Sequence, residues 1–415
     1  MFTSDHLGTP YSTFPNTDHG AQHENISAVI TERQQQLDAV LQEVSGLESV
    51  MDRIKNLHQQ LLKKKDNIIQ SMSLHRGLVS ALWRFPSELL SLIFVHCLPE
   101  TEHLLPSSKL APILLTRICR RWREVAVGMS SLWCGVTVDI DHEDWQRAAF
   151  FYDAWLERSR DRPLSLALKC FKNDATNLRS LLEHHTNQIS SLHIILFANT
   201  FTPDLLLNDL PALQELTITT FDSLWYTPSF AQSISRLPFT LRRLRVVGPS
   251  AFDFDRIVSC NPVWAHLTHV EIAIRQPNLI LQLLQLGLNL SSLAIGLGFY
   301  DEVPSTFEPL AHANLQSLCI SSAFPMCMGN SFPDVFNALT LPKLRVLEAR
   351  HIRPWPHEEL KTFLARSNCP LESLVFGTGV TTTDEQRGEY IVLIPFLDVV
   401  MDHRRNDFFG SRRLA

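Results

Sequence analysis

Leu213-Gln214-Glu215-Leu216-Thr217-Ile218, Leu241-Arg242-Arg243-Leu244-Arg245-Val246 and Leu267-Thr268-His269-Val270-Glu271-Ile272 share one pattern. An aliphatic anchor is followed by two free positions, a second anchor, one free position and a third anchor. The alternation over the last three positions is the period of a strand with one buried face. The same six positions recur over 189–194, 290–295, 315–320, 344–349 and 371–376. The second anchors stand at 192, 216, 244, 270, 293, 318, 347 and 374, so successive units lie 23 to 29 residues apart. Val136-Thr137-Val138 and Leu164-Ser165-Leu166-Ala167-Leu168 read as earlier, degenerate strands.

A unit this short cannot bury its own apolar side, so the units must stack, and their spacing is that of leucine-rich repeats. The expectation is an α/β chain whose residues 136–389 form an irregular repeat solenoid with a curved parallel sheet. Each strand returns through a helix or an irregular segment; Asn278 to Leu288, rich in Leu at helical spacing, is one such helix. An Asn ladder after the strands is mostly absent. Tyr390 to Asp402 is read as the start of a terminal cap and tail over 390–415.

Residues between inward anchors face the concave side of such a solenoid. His193, Thr217, Arg245, Glu271, Cys319 and Glu348 are therefore candidate substrate contacts. Arg242, Arg243 and Arg245 form a cluster suited to an acidic or phosphorylated peptide, because guanidinium groups pair bidentately with such anions. The competing reading is a solvated basic strand edge.

Bulk composition bounds the rest. The chain has 415 residues, 45% of them hydrophobic, enough for a large core and for two or more structural units. A net charge of −6 and 19% charged residues give no global field for nucleic acid or anionic membrane. The eight cysteines are scattered without the two-residue gap of a zinc knuckle or redox motif, so reduced, mostly buried thiols are expected. Met1 to Gly20 is polar and has no signal-like apolar core, and Tyr390 to Met401 is too short to span a bilayer. An intracellular protein, cytoplasmic or nuclear, is expected.

Residues 1–24 carry no period and are expected to form a disordered leader. Over 25–78 a heptad follows: Ile30, Leu37, Val40, Val44, Leu47, Met51, Ile54, Leu61, Ile68 and Met72, interrupted by Arg33, His58 and Lys65. With no proline between Pro15 and Pro86, one helix of about 45 residues is permitted. It is a coiled-coil candidate for self-association through residues 30–75. An amphipathic helix folded back on the chain is the alternative.

Residues 79–135 contain a different kind of signal. Trp83-Arg84-Phe85-Pro86-Ser87-Glu88-Leu89-Leu90-Ser91-Leu92-Ile93-Phe94 places proline where a first helical turn tolerates it and Glu88 near the positive helix end. Leu89, Ile93 and Cys97 form one row and Leu90, Phe94 and Leu98 the next, so the helix needs two apolar neighbours. After the polar stretch 100–109, Leu115, Ile118, Cys119, Trp122, Val125 and Ala126 predict a second helix, closed by Leu132-Trp133.

These residues resemble the F-box family: Phe85-Pro86, Glu88, Leu89-Leu90, Ile93-Phe94, Leu98-Pro99, Cys119-Arg120-Arg121-Trp122-Arg123 and Leu132-Trp133 follow its order over about 50 residues. Phe85 stands where Leu is usual, and the 100–109 loop is longer than in compact members. The overall arrangement is similar to the large F-box families of mushroom-forming fungi. The resemblance implies docking onto a Skp-type adaptor, and through it onto a cullin and a RING subunit. It further implies that Phe85, Pro86, Leu89, Leu90, Ile93, Phe94 and Leu98 bind the adaptor; Trp122 and Trp133 are read, apart from the resemblance, as the bundle's own core. The implied function is a non-catalytic substrate receptor of a ubiquitin ligase; an F-box scaffold without ubiquitin transfer is the alternative.

No enzyme signature competes with that expectation. Gly296-Leu297-Gly298 lacks the third glycine of a phosphate loop, and no serine elbow, metalloprotease helix or calcium loop is visible. His184-His185 and His351 to His357 are imaginable ligands, but among 17 histidines chance proximity accounts for them. No catalytic residue, metal or cofactor is expected, and neither nucleic acid nor membrane is an expected partner. An unrelated repeat enzyme with unrecognised catalytic residues is a third reading.

Overall fold

A computed structural model describes residues 19–79, 85–99, 101, 103–140, 142–170, 176–196, 210–220, 237–248, 261–274, 277–297, 307–322 and 332–402. The chain divides into two compact units, one ending at Pro86 and one running from Ser87 onward.

The first unit contains one helix, α1 (His19–Val79), of 61 residues. At 1.5 Å per residue it is about 90 Å long. It exceeds the expected length and takes in residues 19–24 of the expected leader; residues 1–18 lie outside the described ones. Continuity follows from the absence of proline, since glycine at 20, 46 and 77 costs only about 1 kcal/mol each relative to alanine. The ten apolar heptad residues are all exposed, from 44% at Val44 to 65% at Leu47.

The second unit opens with α2 (Ser87–His96), α3 (Ile113–Ile118) and α4 (Arg120–Gly128), closed by a 3-10 turn at Ser130–Trp133. Glu88 in the first turn of α2 and His96 in its last complement the helix dipole. The single helix expected over 115–126 is two helices. Cys119 is extended between them (φ −156°, ψ 169°), and its sulfur accepts the Trp122 amide at 3.4 Å, so it starts α4 where α3 ends. Arg123 Nε donates to the Thr116 carbonyl at 2.8 Å and satisfies an acceptor near the end of α3. A helical apolar period runs through the break, which is why the spacing alone does not reveal it.

The repeats follow as β1 (Gly135–Asp139), β2 (Leu164–Cys170), β3 (Ile189–Leu196), β4 (Glu215–Thr220), β5 (Arg243–Val247), β6 (His269–Ile274) and β7 (Ser292–Leu297). Next come β8 (Leu310–Ala311), β9 (Ser317–Ser322), β10 (Leu339–Thr340), β11 (Val346–Arg350), β12 (Ser373–Phe376) and β13 (Asp398–Met401). Eleven of these strands form one parallel sheet in chain order; β8 and β10 pair separately. The helices α5 (Trp145–Ser159), α6 (Thr176–Leu182), α7 (Asn261–Trp264), α8 (Asn278–Leu286), α9 (Phe332–Ala338), α10 (His357–Ser367) and α11 (Asp384–Leu393) lie in the returns. This is a leucine-rich-repeat-like solenoid.

The strand register places Val136, Leu166, Leu192, Leu216, Leu244, Val270, Leu293, Leu318, Leu347, Leu374 and Val399 side by side in one ladder. The eight second anchors, Leu192 to Leu374, are each at most 2% exposed. Burying such a side chain stabilises by about 1.5–3 kcal/mol, so each rung contributes to the core of the unit. At six strand starts, those of β5, β6, β7, β9, β11 and β12, two successive amides share one acceptor. The Gln214 carbonyl takes the amides of Arg242 and Arg243, and the Arg242 carbonyl takes those of Thr268 and His269. The carbonyls of Thr268, Ser291, Gln316 and Arg345 repeat the arrangement. Asn289 and Asn314 each donate to a carbonyl one repeat back, Ala265 at 2.6 Å and Leu288 at 2.9 Å, so two asparagines do part of what a full Asn ladder would.

The sheet does not stop at the expected boundary of 389. Helix α11, opened by a capping box of Thr383 and Gln386, leads into β13, whose Met401 pairs with Phe376. The segment read as a cap therefore contributes an eleventh strand.

Candidate functional site

Helix α2 separates the two apolar rows legible in its sequence. Leu90 and Phe94 are fully buried, with the Phe94 ring 4.9 Å from that of Trp122. Leu89, Ile93 and Cys97 face solvent, Leu89 at 48% and Ile93 at 37% exposure. The expectation that Leu90 and Phe94 bind a partner is thus corrected: both side chains are spent on the bundle's own core. Leu98 is half-buried. Phe85, half-buried, and Pro86, exposed, belong to the first unit.

Further apolar residues of the bundle are open: Leu92 and Val95 on α2, Leu114 and Ile118 on α3. None of these was singled out for the docking surface from the sequence, although a helix apolar on every side must show one side outward when it has neighbours on only one. Leu89, Leu92 and Ile93 stand at i, i+3 and i+4 and so form a single face. Trp133, expected in the core, is buried there; its indole N–H donates to the Ala126 carbonyl at 2.9 Å, and Trp155 donates to the Trp133 carbonyl at 3.0 Å. Trp122 is only half-buried.

The concave candidates come together as one row. Across β3 to β11 the register aligns His193, Thr217, Arg245, Glu271, Ala294, Cys319 and Glu348. His193 shares a hydrogen bond with the Thr219 hydroxyl at 2.9 Å, and its ring centroid is 5.8 Å from that of His103. His103 comes from the loop before α3, which is held to the sheet by Thr137 N–H to the Leu104 carbonyl (2.9 Å) and by His103 with Ser165 (3.0 Å). Burial, helped by the positive fields of His103 and Arg245, pulls His193 down to about 4, so it is neutral at pH 7.

The three arginines do not form one patch. Arg242 precedes β5, and its guanidinium donates to the carbonyls of Phe239 (2.7 Å) and Leu241 (3.1 Å). Arg243 pairs with Glu215 at 3.0 Å, and Arg245 Nε lies 2.7 Å from Glu271. Further along, buried Arg350 bridges Glu348 and Asp402. Cross-strand carboxylates thus neutralise Arg243 and Arg245, and an incoming anion must displace them.

Among the described residues, His357, Glu358 and Glu389 bring potential ligand atoms within 4.8 Å of one another. The Lys361 ammonium sits there as well, 2.5 Å from Glu389 and 3.5 Å from Glu358, and supplies the positive charge a metal would bring. Hydrogen bonding raises Lys361 and lowers Glu389, each favouring its charged form. The ring of His357 is set by Tyr390, whose hydroxyl accepts the Trp355 N–H (2.9 Å) and shares a hydrogen bond with Nδ1 (2.7 Å). Cys319 is buried, and that burial, with Glu348 beside it, pushes the thiol up, away from the thiolate a nucleophile needs. Cys369 is also buried as expected, whereas Cys97 and Cys119 are exposed. No described helix is long and apolar enough to cross a membrane.

No family model matches the chain, and no curated protein does. Among solved structures, the chain is similar to the leucine-rich repeat-containing protein LegL7 from Legionella pneumophila, with a TM-score of 0.38 and 13% identity, over 64% of this chain and 90% of that one.

Proposed function

We propose that the chain is the substrate receptor of a Skp-cullin-F-box ubiquitin ligase, itself non-catalytic, docking a Skp-type adaptor through the bundle after Pro86 and a protein substrate through the repeats. One observation carries this reading: Leu89, Leu92 and Ile93 lie open on a helix whose opposite side, Leu90 and Phe94, is locked into a core. A small bundle that exposes such a face is poorly suited to water and well suited to another polypeptide. The F-box resemblance of residues 85–133 names the kind of partner. The receptor would then act by position alone, raising the effective concentration of a substrate lysine near the loaded ligase.

The test is a pull-down of the full chain with a Skp-type adaptor, comparing wild type with Ile93→Asp. A carboxylate at the centre of the apolar contact should remove binding, while circular dichroism stays unchanged because Ile93 is not part of the core. Undiminished capture of the adaptor by the variant defeats the proposal. The concave row supports the scaffold alternative equally well. Deleting residues 83–133 in cells and following the turnover of repeat-bound partners separates the two, since stabilised partners require a working ligase.

A further inference from the structure

Independently of the adaptor reading, we infer that α1 pairs with α1 of a second copy of this chain in an antiparallel coiled coil, with the two-fold axis passing between Asp52 and Arg53. The geometry starts from the ten apolar heptad residues, none of them less than 44% exposed, on a helix long enough for more than six heptads. Such a stripe requires a cover. Charge decides which cover and which direction.

Residues 30–51 contain four acids (Glu32, Asp38, Glu43, Glu48) against Arg33 alone. Residues 52–75 contain five bases (Arg53, Lys55, Lys63, Lys64, Lys65) against Asp66 and Asp52. Each helix is therefore acidic in its first half and basic in its second. A parallel pair sets like halves together; an antiparallel pair sets opposite halves together.

The seam agrees position by position. In a parallel pair each polar interruption meets itself, so Arg33 faces Arg33, His58 faces His58 and Lys65 faces Lys65, all within the apolar seam. Flanking it, Glu43 faces Glu48 of the other copy, a repulsion made twice. With the antiparallel axis at 52.5, every seam residue meets one whose number completes 105. Lys65 then packs on Val40, His58 on Leu47 and Arg33 on Met72, where a long side chain can lay its stem on the apolar partner and carry its charge outward. Leu37 meets Ile68, Val44 meets Leu61 and Met51 meets Ile54.

Reversal of one helix also brings like flanking positions opposite each other. Glu43 then faces Lys64, and Glu48 faces Lys55, each pair occurring twice. The remaining flanks match as well, Leu41 with Leu62 and Val50 with Leu57, all four exposed in the single chain. Shifting the register by one heptad either way places Glu48 against Glu48 or Lys55 against Lys55. Lys55 lies 3.2 Å from Asp52 in its own helix, an exposed pair that a rotamer change exchanges for the intermolecular one. In this arrangement the two Val79 residues end about 80 Å apart, at opposite ends of the rod.

The test is sedimentation equilibrium of the full 47.3-kDa chain and two variants, with far-UV circular dichroism to confirm equal helix content. Wild type should reach twice the chain mass. Glu43→Lys replaces two attractions with two repulsions and should weaken the dimer about tenfold, and adding Lys64→Glu should restore it. A parallel pair behaves oppositely, since Glu43→Lys turns its Glu43–Glu48 repulsion into an attraction. Tighter association of that variant therefore overturns the proposal, as does a wild-type chain that stays monomeric at about 100 µM and leaves the stripe to a different protein.

Discussion

Arg245 and Glu271, on neighbouring strands, form an ion pair of 2.7 Å across the concave face. Because the guanidinium is half-exposed while the carboxylate is largely covered, the pair is an occupied anion site with its own occupant built in. Burial pushes Glu271 up, with Arg245 only partly opposing it, so the carboxylate is held at some cost. Glu271→Gln should therefore release Arg245 and raise affinity for an acidic probe peptide about tenfold, measured by fluorescence anisotropy at low salt. Equal affinity of variant and wild type would show that the arginine is not available even when unpaired.

His193 gives the fold a pH limit. An unfolded chain takes up the imidazole proton below about 6.5, whereas the folded one resists until about 4. Stability from this group is fully present above pH 6.5 and is lost as the pH falls toward 4. Allowing for solvent at the half-buried ring, the loss should be about 2 kcal/mol. Urea unfolding at pH 7 and pH 4.5 should show this drop in wild type and a smaller one in His193→Gln.

The two rows of α2 should respond differently to substitution. Phe94→Ala empties a fully buried site against Trp122 and should cost about 3–5 kcal/mol, with loss of the bundle's thermal transition. Leu89→Ala removes a side chain already 48% exposed and should change the melting temperature little while weakening a docked partner. Comparable destabilisation by both would place Leu89 in the core.

Tyr390→Phe deletes one oxygen that serves two neighbours. The Trp355 N–H loses its acceptor inside the protein, and His357 loses the hydroxyl partner that fixes its ring. A cost of about 1–3 kcal/mol is expected in chemical denaturation. In the wild type, burial raises the hydroxyl to about 12, so a spectroscopic titration should find Tyr390 among the last tyrosines to ionise.

Gly46 sits mid-helix, with nothing within 4 Å of where a Cβ would lie. Gly46→Ala should raise the stability of α1 by about 1 kcal/mol without touching the heptad seam, seen as greater helicity on heating.

How much of this could be read from residues alone depends on the range of the interaction. The strand anchors are local, six positions repeated, and all eight second anchors entered the core as the alternation predicts. The concave row from His193 to Glu348 follows from the same alternation. What is set by register between repeats was not legible: that Glu215 neutralises Arg243 and Glu271 neutralises Arg245 depends on which residue of one unit faces which of the next. Asp398–Met401 keeps the spacing of the last two anchors in Val399 and Met401 but has no leucine, so only pairing with β12 identifies it as a strand of the sheet. The rows of α2 were visible, but which one faces inward depends on Trp122, which lies 28 residues beyond Phe94.

The paired amides that six strand starts deliver to a single carbonyl of the preceding unit have one more consequence. Stacking is indexed at these clamps and along the paired strands, so the length of the return segment between them is not under the same constraint. Spacings as different as 23 and 29 residues can then coexist in one unbroken sheet. An insertion in a return segment should leave the neighbouring strands in place, whereas a single residue inserted between Gln214 and Leu216 would turn the whole strand inside out.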